Sequence, residues 1–461
     1  MSTRRFEFAS RIAAPTADVF EWHAKPGAFE RLQPPWEHVE ILERTGGIDG
    51  GRVTLRVALG PIWWRWVSEH SDYEAGRQFR DTQTEGPFAR WEHTHRVEPD
   101  GGAESRLVDE IEYELPFGHL AELLAGSAVR HKLVRMFQYR HRVTADDVAS
   151  HQKYRGVSPM RILMTGSSGL VGNSLMPFLT TGGHSVVRLV RRAAPLAENI
   201  VSWDPSAGRI DAAGLEGCDA VVHLAGESIA ARRWSAKQKD LISSSRVAGT
   251  RLLCESLARL AKPPQVLVSA SAIGFYGDRG DSPMTEESAP GAGFLSEVCQ
   301  EWEAATEPAA RAGIRVVNLR IGIVLSPAGG ALKKMLTPFR LGVAGKMGSG
   351  RQYMSWIALD DVIGAIHHAI MAPEVRGPVN ATAPNPVTNY EFTKTLGRVL
   401  RRPTIFPMPA FAARLAFGEM ADALLLASTR VEPARLLAAG YRFRFPNLED
   451  ALRHLLGRVP G

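Results

Sequence analysis

The spacing of apolar residues changes character partway along the chain. Phe6-Glu-Phe-Ala-Ser-Arg-Ile reads as a strand, and Pro15 opens a helix that contains Val19 and Phe20. Alternating runs at 52–58, 62–68, 88–96 and 106–115 then predict several antiparallel strands. After Pro116 the period lengthens, with Leu120, Leu123, Leu124, Leu133, Phe137 and Val143 marking one or two amphipathic helices packed on that sheet. From Met160 the order is different. A short apolar run, Met160-Arg-Ile-Leu-Met-Thr, is followed by Val171, Leu175, Phe178 and Leu179 at helical spacing, then by Gly182-Gly183 as a stop and a second strand at 185–190. A buried strand around Asp219-Ala-Val-Val-His, a helix from about Ser235 to Leu260 and a strand at Gln265–Ser269 continue the alternation, which predicts a doubly wound parallel sheet.

The two patterns place a boundary in Ser150-His-Gln-Lys-Tyr-Arg-Gly-Val-Ser-Pro159, a polar stretch with Gly and Pro just before the first parallel strand. Six of the ten tryptophans (Trp22, Trp36, Trp63, Trp64, Trp66 and Trp91) lie before it, so the parts also differ in composition. The expected division is 1–150 for the first domain, 151–159 for the linker, 160–395 for the doubly wound domain and 396–461 for a small C-terminal lobe.

Chemistry concentrates where the first parallel strand ends, at Thr165-Gly166-Ser-Ser-Gly169-Leu-Val-Gly172. Gly166 permits a tight turn, Gly169 lets backbone amides approach a diphosphate, and Gly172 lets the helix pack against the strand. The helix N-terminus then faces the anion. The predicted cofactor contacts are Gly166, Ser168, Gly169, Leu170, Val171 and Gly172. At the end of the second strand, where a carboxylate would accept from an NAD ribose hydroxyl, the chain carries Arg191 and Arg192. Guanidinium groups suit a 2′-phosphate, which favours NADP, unless both are merely solvated at a strand end.

Composition excludes more than it assigns. With 44% hydrophobic and 23% charged residues, the chain is an ordinary globular protein of two or three domains. The charge of +6 suits anionic small ligands without implying nucleic acid. The basic run Arg130–Arg142 lacks an aromatic stacking platform and reads as a solvated helix face. Cys218, Cys254 and Cys299 are widely spaced, so neither disulfides nor a metal site is expected. No export signal or membrane span is visible, and a cytoplasmic location is expected.

The order of strand, short helix, antiparallel strands and long helix, together with Pro34-Pro35-Trp36, resembles the START-like, polyketide-cyclase-like helix-grip superfamily over about 3–148. That resemblance implies an α+β domain whose sheet wraps the long helix around a hydrophobic ligand. The tryptophans either line such a cavity or fill the core.

From Met160 the chain resembles the extended short-chain dehydrogenase/reductases, in their atypical sugar-nucleotide-epimerase-like branch. The match rests on Thr165-Gly166-x-x-Gly169-x-x-Gly172, His223-Leu-Ala-Gly-Glu227, Ser245-Arg246, Ser269-Ala-Ser-Ala-Ile-Gly-Phe-Tyr-Gly277, Arg320-Ile-Gly-Ile-Val-Leu325, and Gly348-Ser-Gly-Arg-Gln-Tyr-Met-Ser-Trp-Ile357 with Asp360-Asp361. Phe417-Gly-Glu-Met and Gly440-Tyr-Arg-Phe fit the branch's terminal region. The resemblance implies a Rossmann domain with cofactor contacts also from Leu224, Ala225, Gly226, Arg246 and Val324. It implies substrate contacts from Arg351, Tyr353 and Trp356.

One departure bears on mechanism. The superfamily uses a Ser or Thr to hold the substrate oxygen, and a Tyr with a Lys four residues later to move the proton. Ser271 matches the serine. Anchored on Glu303, the segment Gly293–Glu303 puts Leu295 and Cys299 where Tyr and Lys are expected. Tyr276 is the nearest substitute donor, or else a packed wall residue; Cys299 is a nucleophile or core. The expected function is an NADP(H)-binding epimerase or oxidoreductase-like enzyme acting on a small-molecule carbonyl, hydroxyl or nucleotide-sugar substrate. The alternative is a protein that holds NADP(H) without turnover.

Overall fold

In a computed structural model of the 461-residue chain, residues 3–60, 62–116, 118–191 and 199–458 are described, those at 118–122 without their side chains. Contacts divide the chain into two compact units. One comprises Met1–Val157, Thr180–Gly182 and Leu456–Gly461, and the other comprises Ser158–Leu179 and Gly183–Leu455.

The first unit opens with β1 (Arg4–Ile12), α1 (Thr16–Ala24) and the short α2 (Ala28–Arg31). Six strands follow: β2 (Val39–Thr45), β3 (Arg52–Leu59), β4 (Ile62–Glu74), β5 (Gln78–Glu85), β6 (Arg90–Pro99) and β7 (Ser105–Glu114). A single 35-residue helix, α3 (Gly118–Gln152), completes it. The strands form one antiparallel sheet in the order β1-β7-β6-β5-β4-β3-β2, the helix-grip arrangement. On β6 the buried positions alternate as Trp91, His93, His95 and Val97, so two histidines share the inner face with apolar residues. Phe6, Trp91, Ile111, Leu133 and Phe137 form one apolar cluster between sheet and α3. The tryptophans do not act together: Trp22 and Trp91 are buried, whereas Trp63 and Trp64 on β4 are exposed.

Strands β2 and β5 were not foreseen from the apolar pattern. The Val39–Thr45 segment is almost wholly exposed on the sheet edge, and β5 turns only Phe79 inward among its apolar residues. The basic run also departs from a solvated face, because His141 is 2% exposed and points to Asp109.

The second unit begins with β8 (Arg161–Thr165), α4 (Leu170–Thr181), β9 (Ser185–Val190), β10 (Ile200–Asp204), β11 (Arg209–Ile210) and β12 (Ala220–His223). Next come α5 (Ala236–Ala258), β13 (Val266–Ala272), β14 (Pro283–Met284), α6 (Phe294–Ala304), α7 (Glu307–Arg311), β15 (Arg315–Ile321), β16 (Ile323–Leu325) and α8 (Gly330–Arg340). The remainder is β17 (Tyr353–Met354), β18 (Trp356–Ala358), α9 (Leu359–Met371), β19 (Gly377–Ala381), β20 (Val387–Thr388), α10 (Asn389–Leu400), α11 (Ala410–Phe417), β21 (Arg430–Val431), α12 (Ala434–Ala438) and α13 (Leu448–Leu455). Helix α10 runs through 395–396, so that position lies inside an element.

The main sheet has the order β11-β10-β9-β8-β12-β13-β15-β19 and is parallel except for the β10–β11 edge pair. Its strands are buried on both faces. Ile162, Met164, Val222 and Val268 face Leu175, Phe178, Ile363 and Ile366, while Leu163, Val221 and Leu267 face Leu253, Cys254 and Leu257. Strand order reverses between β8 and β12, the switch point where doubly wound sheets open a crevice for ligands. At the start of α9, Asp361 receives the amides of Arg444 and Phe445, and Tyr441 donates to its carbonyl, which explains the Gly440-Tyr-Arg-Phe motif as a tie for the C-terminal segment. No described helix is long and apolar enough to cross a membrane.

Candidate cofactor and catalytic site

The glycine turn sits at the switch point. Gly166 has φ +68°, and a Cβ there would lie 2.7 Å from the Leu224 carbonyl carbon and 2.9 Å from the Ala225 nitrogen. The turn therefore touches the chain leaving β12. A Cβ on Gly172 would approach the Gly166 carbonyl oxygen to 2.3 Å, so helix and turn are closer than any side chain allows. Ser168 and Gly169 are exposed at the tip, while Leu170 and Val171 are half-buried on the first turn of α4. A Cβ on Gly329 or Gly330 would meet the Leu170 side chain at 3.2 and 3.5 Å, which brings the segment after Val324 beside the same turn.

Behind the turn, a hydrogen-bond chain fixes the strand ends. Thr165 Oγ1 accepts from the amides of Leu224 and Ala225, both at 3.1 Å, so its single proton goes to His223 Nδ1 at 2.7 Å. His223 Nε2 then donates to Thr250 Oγ1 at 2.9 Å, which Trp302 Nε1 also reaches at 2.9 Å. The imidazole is thus the neutral Nε2–H tautomer, and its burial lowers the pKa to about 4.

Cations surround this crevice. Arg191 is exposed at the end of β9, and Arg192 lies outside the described residues. Arg188, unforeseen, donates from Nε to Ser167 Oγ in the glycine turn at 3.3 Å. The Arg246 guanidinium lies 5.0 Å over the Trp302 ring, within 3.4 Å of where a Gly226 Cβ would stand, and burial lowers its pKa.

On the other side of the opening, Ser271 at the end of β13 donates to Glu303 Oε1 at 2.7 Å. Arg320 holds both oxygens of Glu303, each at 2.8 Å, and donates to Tyr276 Oη at 3.0 Å, which donates to Asn380 Oδ1 at 2.6 Å. Tyr276 is fully buried, and its pKa is raised by that burial. Leu295 and Cys299 flank Gly274, where a Cβ would meet Leu295 Cβ at 3.3 Å and Cys299 Sγ at 3.8 Å. Cys299 is buried and its thiol is pushed up to about 11 by desolvation, the state of a packed rather than a reactive cysteine.

The three residues expected to face substrate differ in exposure. Arg351 is exposed; Tyr353 is half-buried with Arg430 over its ring at 5.3 Å; Trp356 is fully buried and donates to Asn385 O at 3.2 Å. The Glu303–Arg320 pair was also unforeseen in role. Its signal was an arginine inside the apolar strand Arg315–Ile321, since a buried cation requires a carboxylate partner.

A switch-point glycine cradle followed by a polar strand-end network defines a dinucleotide-binding Rossmann domain of the extended dehydrogenase/reductase class. The chain belongs to the NAD dependent epimerase/dehydratase family, which matches residues 162–381. Polyketide cyclase / dehydrase and lipid transport matches residues 12–141, and a domain of unknown function, DUF1731, matches 408–455. Epimerase family protein Mb2239 of Mycobacterium bovis is 44% identical over 300 residues, covering 65% of this chain and 98% of its own length. The crystal structure of a nucleoside-diphosphate sugar epimerase from Corynebacterium glutamicum superposes with a TM-score of 0.81 at 33% identity, covering 98% of this chain and 90% of that one. Human epimerase family protein SDR39U1, solved with NADPH, is 34% identical, with a TM-score of 0.60 over 65% of this chain and 100% of its own.

Proposed function

We propose that the second unit is an NADP(H)-dependent epimerase or oxidoreductase-like enzyme acting on a carbonyl, hydroxyl or nucleotide-sugar substrate. The observation that carries it is the cradle in which side chains at 166 and 172 would clash with backbone. In this reading the exposed turn at Gly166, Ser168, Gly169, Leu170, Val171 and Gly172 receives the diphosphate, while Leu224, Ala225 and Gly226 flank the adenosine. Arg191, Arg192 and Arg188 supply guanidinium groups for a 2′-phosphate, a chemistry consistent with the NADPH in the human relative. Arg246 faces the cofactor from α5, and Val324 lies toward its nicotinamide end. Arg351 and Tyr353 offer polar contacts for substrate; Trp356 supports their loop from the core.

When bound, the cofactor supplies or takes a hydride. Ser271 spends its proton on Glu303, so its oxygen accepts from a substrate hydroxyl and holds it in place. Arg320 keeps Glu303 fixed for that bond. Tyr276, buried in the same network, positions Arg320. The helix-grip unit is assigned to a hydrophobic ligand, supported by its family match and by an aromatic cluster of Trp66, Phe88 and Trp91 whose rings pack against one another.

The engaged tyrosine and the inert Cys299 support a second reading, a protein that holds NADP(H) without turnover. NADPH consumption on carbonyls, NADP+ reduction on alcohols and product analysis of nucleotide sugars for redox-neutral epimerisation decide between them. The enzymatic reading expects turnover that falls at least tenfold in Ser271→Ala with unchanged NADPH affinity. Tight NADPH binding with no turnover on any substrate establishes the second reading.

A further inference from the structure

The helix-grip interior concentrates imidazole and carboxylate groups where an apolar filling is usual. Across the sheet, His70 on β4 pairs with Asp81 on β5, Asp81 with His93 on β6, and His95 on β6 with Asp109 on β7. Residues 93 and 95 share a face because side chains alternate along a strand. His93, His95 and Asp109 are 3%, 7% and 3% exposed.

The atoms are arranged in two layers. On one side, Asp109 Oδ1 lies 2.7 Å from His93 Nε2 and 2.6 Å from His95 Nδ1, while its Oδ2 meets His141 Nε2 at 2.5 Å. On the other, Asp81 Oδ2 lies 3.2 Å from His95 Nε2 and 3.9 Å from His93 Nδ1. His70 Nε2 holds the second Asp81 oxygen at 2.8 Å. Each of His93 and His95 thus presents one nitrogen to Asp109 and the other toward Asp81. One donor atom from each of Asp81, His93 and His95 lies within 4.8 Å of the other two. Tetrahedral sites with bonds of about 2.0–2.1 Å set their donors about 3.3–3.4 Å apart, close to the 3.2 and 3.9 Å that separate Asp81 Oδ2 from the two imidazoles, so the set closes on an ion by a modest contraction. Asp109 thus engages one nitrogen of each of three buried imidazoles, and Nδ1 of His141 is buried without a hydrogen-bond partner among the described residues.

We propose that Asp81, His93 and His95 bind one divalent transition-metal ion of the zinc or ferrous-iron class, with Asp109 and His70 orienting the ligands from behind. Two imidazoles and one carboxylate, without a thiolate, select such ions over magnesium, calcium or copper(I). The carboxylate behind both imidazoles is the outer-shell arrangement that fixes ring orientation and strengthens metal-bound histidine. Phe79 stacks on His95 at 4.3 Å and Phe137 meets His93 edge-on at 5.2 Å, which shields the site from bulk water. Three protein ligands leave a coordination position for water or an oxygen ligand. The proposal is independent of the cofactor reading.

The test uses the full chain, stripped with a chelator and titrated with Co²⁺ while its visible d–d bands are followed, then with Zn²⁺ in competition. One equivalent of Co²⁺, displaced by Zn²⁺ and not by Mg²⁺, is expected. The double variant His93→Gln/His95→Gln should bind none, and Asp81→Asn should bind at least tenfold more weakly. NADPH affinity should stay unchanged in all three. If the double variant loses its circular dichroism, Asp81→Asn on a partly exposed residue decides. Wild-type protein that binds neither ion in stoichiometric amount, or a folded Asp81→Asn with wild-type affinity, overturns the proposal.

Discussion

The two units bury different things. In the doubly wound unit the sheet interior is apolar on both faces, and polar groups collect at the strand ends around Thr165, His223, Ser271 and Arg320. In the helix-grip unit, Asp81, His93, His95, Asp109 and His141 lie inside, between sheet and long helix. The difference teaches where each fold keeps its chemistry: a parallel sheet needs both faces for packing and offers only its edge, whereas a curled antiparallel sheet has an inner face to spare.

The strongest way to break this comparison is at the cradle. Gly172→Val places side-chain carbon against the Gly166 carbonyl and should weaken NADPH binding by more than about 100-fold, a loss of more than about 2.7 kcal/mol. Fluorescence titration reads this directly, and wild-type affinity in the variant would remove the glycine turn from the binding site.

A loss of comparable size, read in stability and not in binding, is expected at the strand-end network. Glu303→Gln leaves Arg320 buried without its carboxylate, and breaking such a pair costs about 3–5 kcal/mol. Urea denaturation should show that loss, and a change below about 1 kcal/mol would mean the pair is a surface-like contact.

A smaller effect separates the two cofactors. Replacing Arg188 and Arg191 together by Ala should lower the NADPH-over-NADH preference by roughly tenfold or more, since a charge-assisted hydrogen bond contributes about 1.5–3 kcal/mol. Equal losses for both cofactors would assign the arginines to the shared diphosphate instead.

The smallest effect is a slope with pH. His223 titrates near 4 in the fold and about 6.5 when unfolded, so the folded state binds fewer protons between those values. Its stabilisation is complete above about pH 6.5 and is lost toward pH 4, at about 1.4 kcal/mol per unit. The stability gap between wild type and His223→Gln should therefore narrow as pH falls from 7 to 5. A gap that stays constant would show that folding leaves the His223 pKa unshifted, and one that widens would show that the fold favours the charged imidazole.

Legibility in the sequence followed the same division. The glycine turn was readable because backbone geometry at 166 and 172 admits no other residue, and apolar periodicity then gave β8, α4 and β9 their places. Strand β5 was not readable, since its inward residue Asp81 breaks the alternation that marks a strand. Ser271 was located at its strand end, yet its partner Glu303 served only as an alignment anchor. The bond between them exists because α6 lies along β13, a tertiary fact that spacing does not encode. His93-Thr-His95 lay in plain view, but its meaning depends on Asp81 and Asp109 arriving from neighbouring strands.

Isothermal titration of the full chain with NADPH and, separately, NADH tests the central claim most directly. The cradle and its guanidinium groups predict saturable one-to-one NADPH binding, at least tenfold tighter than NADH; absence of saturable NADPH binding, or tighter NADH binding, contradicts the account.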